Sequence, residues 1–174
     1  LRNAIHAIHR QEFDQAGELL QSAHNLQDKI KQAVDGWEEL RYTGFVRDSQ
    51  KEFAEGSITL ALVTGKQIPS PDELGTDPAA YLNGMGEAVG EIRRYLLDSM
   101  RQGDMSRGEE LLRAMDDIYS TLVTMDFPDA ITGGLRRTTD NVRGILEKTR
   151  GDLTLTVRQQ DLETKLRDFQ QKNA

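Results

Sequence analysis

RDSQKEFAEGSITLALV (residues 47–63) and YLNGMGEAVGEIRRYLL (residues 81–97) decide how this chain is read. Both stretches read as helices. Glu52 and Glu55 are spaced i,i+3 and Glu87 and Glu91 are spaced i,i+4, so each pair falls on one helix face. The first pair is set among Phe53, Ala54, Ile58 and Leu60, and the second among Met85, Ala88, Val89 and Ile92. If those two faces pack together, four carboxylates converge, and such a cluster cannot stay fully ionised without a cation. A hard, oxygen-seeking divalent ion, Mg²⁺ or Mn²⁺, is the natural guest. The competing reading is ordinary surface charge, because paired Glu residues are common on solvated helix faces. Asp48 extends the first row one turn back, as a fifth ligand, an outer acceptor or a solvated partner of Arg47 or Lys51.

Helical spacing extends outward from these stretches. Ile5, Ile8, Phe13, Ala16, Leu19, Leu20, Ala23, Leu26 and Ile30 recur along one predicted helix over 1–35. A second is predicted over 37–64 and carries the first acidic pair. Residues 65–75, with Pro69 and Pro71, form the clearest loop. Asp77-Pro78 supplies an N-cap followed by Pro at the first helical position. That opens a third helix, 78–102, with the second pair. A fourth spans 105–125, a turn follows at 125–129, and 129–137 reads as a short helix. The last long helix covers 138–172. Short connections between long helices favour antiparallel packing, and the second and third helices are expected to be adjacent and antiparallel. Gly84, Gly86 and Gly90 within the third helix leave room for a neighbouring backbone or for a ligand near the acids.

The 174 residues fit one domain, 1–174, large enough for a real core. There is no cysteine, which excludes disulfides, zinc knuckles and thiol nucleophiles and is compatible with a cytoplasmic location. No apolar run approaches the roughly 20 residues of a membrane span. The sequence starts without Met and inside a helical pattern, so a short N-terminal segment is expected to precede it. The net charge of −7 argues against a plain phosphate-coating surface. It leaves room for a nucleic-acid enzyme whose acids sit in a metal site.

The ordered set of motifs from Trp37 to Asp104 resembles the translin/Trax family. KEFAEG (51–56) is similar to the Trax segment of form QEYVEA, and YLNGMGEAVGEIRR (81–94) to the family's DYLxG…GEL stretch. QGD (102–104) is similar to its NGD or AGD turn, and GGLRRTTDNVRGILEKTRGDL (133–153) to the layout of its last helix. The resemblance is to the archaeal Trax-like members. It implies an all-α, translin-like bundle of about seven helices with long antiparallel helices. It also implies assembly into a hollow homo-oligomer, typically an octamer, and binding of RNA or single-stranded DNA. Trax subunits carry a Mg²⁺-dependent endoribonuclease site built from acids. Glu52, Glu55, Glu87 and Glu91 match those positions, with Glu87 standing where the usual pattern has Asp.

The expected activity is therefore endoribonucleolytic cleavage of RNA, with the four glutamates holding one or two Mg²⁺ or Mn²⁺ ions and one carboxylate orienting or deprotonating water. Arg41, Arg47, Lys51, Arg94 and Arg137 are the candidate RNA-binding residues, with Arg93 and Arg136 beside them. Trp37 and Tyr42 are candidates for stacking on bases, with packing the alternative for Trp37. His6, His9 and His24 all lie in the first helix, far in sequence from the acids; His6 and His9 share a face and could bind a metal, with a polar helix face as the competing reading. The rivals are a non-catalytic nucleic-acid-binding shell like translin itself and an all-α nucleotide pyrophosphohydrolase. A ferritin-like di-iron protein ranks below both, because its Glu-x-x-His pairs are missing.

Overall fold

A computed structural model of the protein describes residues 1–37 and 44–172, so Arg41 and Tyr42 lie outside the described residues. Within them every regular element is a helix. These are α1 (Arg2–His9), α2 (Phe13–Ala33), α3 (Gly44–Val63), α4 (Pro71–Leu74), α5 (Pro78–Arg101), α6 (Gly108–Val123), α7 (Asp129–Thr132) and α8 (Leu135–Lys172). The expected all-α bundle is what the chain forms.

Helix α5 is its axis and packs against α3, α6 and α8. Ile58 on α3 and Ala88, Val89 and Ile92 on α5 have no exposed surface and join Leu111, Met115 and Leu122 of α6 and Val142 and Leu146 of α8 in one core. Gly84 and Gly86 explain how the helices come so close. A Cβ on Gly84 would collide with the Lys51 carbonyl of α3, and one on Gly86 with the Thr138 methyl of α8. These glycines admit neighbouring helices. Gly90 meets only the tip of Ile145, at 4.0 Å.

Three expectations change. The predicted helix 1–35 is broken at residues 10–12, where Gln11 takes φ 62°. The break folds α1 back so that Ala7 and Ile8 cluster with Ala16 of α2 and Val63 of α3. Burying those side chains is worth about 3 kcal/mol, against about 1–2 kcal/mol for a left-handed non-glycine residue. The predicted helix 129–137 is shorter, because Gly133 and Gly134 both take positive φ and separate α7 from α8.

The third change is directional. α3 and α5 are adjacent but run parallel. Arg47, early in α3, lies 3.6 Å from Asp77, just before α5. Gly84 abuts Lys51 and Glu55, and Tyr95 packs in the cluster of Val63. The connection is a strap, residues 64–77, that returns along α3 before α5 starts. Its anchors are side-chain hydrogen bonds. A capping box joins Ser70 and Glu73, Tyr81 Oη donates to the Pro69 carbonyl at 2.8 Å, and the Asp77 amide donates to Gln50 Oε1 at 3.1 Å. Arg107 donates to the carbonyls of Leu62 and Val63, satisfying acceptors that the end of α3 leaves open. Long antiparallel contacts occur elsewhere, as between α2 and α3, where Leu20 meets Gly56 and Gln27 meets Ser49.

Candidate metal and nucleic-acid site

The parallel packing of α3 on α5 brings the acidic faces together. Glu55 is the inner member. Its pKa is pushed up to about 7, first by burial and then by the charges of Glu87, Glu91 and Glu52. Glu52 is exposed at the rim, and Glu87 and Glu91 are partly buried. Asp48 is also exposed, and it adds negative charge near Lys51.

Donor side chains already lie on two of the acids. Lys51 Nζ is 2.9 Å from Glu87 Oε1, and this hydrogen bond raises the lysine pKa above its ordinary value. His9 Nε2 is 2.5 Å from Glu91 Oε2, and Arg94 reaches the same oxygen at 3.9 Å. The His9 hydrogen bond is the main reason that Glu91 is held below the usual carboxylate range. Among the described residues no three His, Asp or Glu side chains already form a metal cage.

The contact of His9 with Glu91 is what the sequence reading missed, having weighed His6 and His9 as a separate metal-binding pair or a polar face. Helix period placed His9 on a polar face of one long helix. The turn at Gln11 instead carries it onto α5, where its side chain is only 6% exposed. The available signal was weak: His9 lies next to Ile8 and one residue before Arg10-Gln11, without Gly or Pro to mark the break.

Of the candidate RNA-binding residues, Arg47, Lys51 and Arg137 border one cleft of about 500 Å³, with Glu87, Asn83 and the Gly133-Gly134 turn. Asn83 shapes its floor, donating to the Thr132 carbonyl at 2.8 Å and accepting from Thr138 Oγ1 at 2.6 Å. Arg94 is exposed on the other side, next to Glu91. Arg93 is turned away. It donates to Thr149 Oγ1 and Asp152 Oδ2 and ties α5 to α8. Trp37 is 66% exposed, so it is not part of the core.

No family model matches the sequence. An uncharacterized protein of Methanocaldococcus jannaschii is 29% identical over 167 residues, covering 95% of this chain and 74% of the relative. Among solved structures, AfC3PO in complex with duplex RNA matches with a TM-score of 0.81 and 32% identity, over 89% of this chain and 80% of that one. A crystal structure of AfC3PO gives 0.80 and 31% over the same shares. Apo-NeC3PO gives 0.78 at 22% identity, covering 89% of this chain and 81% of that one, a likeness of fold alone. No helix among the described residues is long and apolar enough to cross a membrane.

Proposed function

Because the chain belongs to the translin/Trax family, with C3PO proteins as its structural neighbours, we propose that it is a metal-dependent endoribonuclease that cleaves RNA phosphodiester bonds at Glu52, Glu55, Glu87 and Glu91. One observation carries the reading. Glu55 is half-buried and feels the charges of the other three acids at once, which displaces its pKa to about 7. Carboxylates that repel one another in a partly buried site are poor surface decoration and good ligands for a hard cation. Their donor set suits Mg²⁺ or Mn²⁺ in kind. A bound ion there would supply water activation and offset charge on the phosphoryl oxygens.

The chain's own groups do the rest. Arg47, Lys51 and Arg137 line a cleft that also holds Asp48 and Glu87, and they guide the phosphate backbone toward the acids. Lys51 gives up Glu87 when that carboxylate is needed as a ligand, and its ammonium remains available to a phosphate. The burial of Glu55 limits water at the inner edge of the site. RNA as ligand is supported by the solved complex of AfC3PO with duplex RNA. Single-stranded DNA is a second ligand of the same chemistry.

A closed homo-oligomer larger than a dimer, with the acids facing its cavity, completes the reading. Exposed Leu155, Leu162 and Leu166 on α8 give such an assembly apolar surface to bury. Light scattering that finds only monomer at micromolar concentration would contradict it.

The deciding experiment measures cleavage of single- and double-stranded RNA with Mg²⁺, Mn²⁺ or EDTA, with nucleoside triphosphates as competing substrates. Metal-dependent cuts within RNA are expected. A binding-only shell is the second reading, favoured by the ion pair of Lys51 with Glu87. RNA binding in EDTA with no cleavage in Mn²⁺ would select it, and preferential hydrolysis of triphosphates would select a pyrophosphohydrolase.

A further inference from the structure

We infer that His9 is a positioning residue for the acidic site, holding the Glu91 carboxylate by one oxygen so that the other is presented to a divalent cation. The inference rests on the metal-site reading above and adds α1 to a site otherwise built from α3 and α5.

Geometry supports it from both sides of the contact. His9 Nε2 lies on Glu91 Oε2, and Arg94 approaches that same oxygen. Among the described residues no hydrogen bond or ion pair engages Glu91 Oε1. A glutamate on a helix surface can rotate about three side-chain bonds, and a fixed donor on one oxygen removes most of that freedom before any cation arrives. Donors that orient metal-binding side chains in this way commonly change metal affinity when removed.

The other ring nitrogen, His9 Nδ1, is buried and has no hydrogen-bond partner. Nε2 carries the proton that it donates to Glu91, and Nδ1 is left as the unpaired atom of the ring. An apolar side chain of similar size would fill the same space without burying an unpaired nitrogen. Packing alone therefore does not account for a histidine here. The placement also depends on the left-handed turn at Gln11, which carries His9 onto α5.

The test is Mn²⁺ binding by the full chain, read by electron paramagnetic resonance, with helix content followed by circular dichroism. His9→Leu is expected to weaken Mn²⁺ binding by about 10–100-fold. His9→Gln, whose side-chain amide offers an N–H at a reach similar to Nε2, is expected to restore most of it. Equal affinity in wild type and His9→Leu would overturn the role of His9 and leave the metal site standing. Failure of the wild type to bind Mn²⁺ would overturn the site reading and this inference with it. Should His9→Leu not fold, His9→Gln against His9→Asn decides. The shorter amide of Asn does not reach Glu91, so a weaker Asn variant is expected and equal affinities overturn the inference.

Discussion

Helix α5 and the distal part of α8 are both long helices held in opposite ways. α5 is surrounded by α3, α6 and α8 and buries ten of its residues, Gly84 and Gly86 among them. α8 has no buried residue beyond Leu153 among the described residues. Its outer turns carry pairs one turn apart, such as Lys165 with Asp161 at 2.8 Å, which each add only about 0.2–0.5 kcal/mol. α5 contains residues that weaken an isolated helix and is stabilised by its neighbours. The outer part of α8 relies on local propensity. A partly buried acidic cluster can be maintained only in the first setting, because only there does packing offset the repulsion.

Substitutions can break this contrast. The largest effect is expected at the site. Replacing Glu91 or Glu52 by Gln should lower RNA cleavage by at least about 100-fold, while RNA binding in EDTA survives or tightens. The same change at Glu163, exposed on outer α8, should leave cleavage unchanged. Unchanged cleavage in both site variants would mean that the four acids are surface charge. Next comes Gly84→Ala. Its Cβ would meet backbone rather than a flexible side-chain tip, so a loss of about 2 kcal/mol is expected, seen as a fall in Tm of roughly 4–8 °C for a chain of this size.

The third effect depends on pH. Glu55 has a folded pKa of about 7, above its ordinary value of 4.5. Between those values the unfolded chain has released this proton while the folded chain still holds it. Without metal, the stability contributed by Glu55 is therefore full below about pH 4.5, falls as pH rises toward 7, and levels off above that. Allowing for solvent screening at a site that is only partly closed, the loss is about 1–2 kcal/mol. Denaturant titrations across this range in EDTA should show that slope in wild type and lose it in Glu55→Gln. A slope unchanged in the variant would place the proton elsewhere. The smallest effect has the opposite sign. Gly151→Ala on α8 meets open space and should stabilise by about 0.5–1 kcal/mol, measurable as a small rise in Tm. A loss there would mean that α8 is packed in the assembly at that point.

Much of the fold was legible because local chemistry marks helix ends. Asp77-Pro78 begins α5 as read, with the Asp77 side chain accepting from the Ala79 amide at 3.0 Å. The neighbouring small and apolar residues identified which faces of α3 and α5 meet. The break at Gln11 was not legible, since nothing local favours a left-handed glutamine and the gain comes from a cluster completed by Val63. The direction of α5 relative to α3 was misread because a proline-rich connection was taken as a short turn, when it is a strap that runs back along α3.

The sequence by itself determined that the chain is helical, that each glutamate pair shares a helix face, and that those faces are flanked by small and apolar residues. Helix period and capping chemistry are local, so they survive without knowledge of the rest of the fold. Tertiary structure alone decided that α3 and α5 run parallel, that Arg93 serves α8 while Arg47, Lys51 and Arg137 share a cleft, and that His9 meets Glu91. A hydrophobic stripe reads the same in either chain direction, and no spacing rule links residues as distant in sequence as His9 and Glu91. Only burial of the shared core fixes those relations.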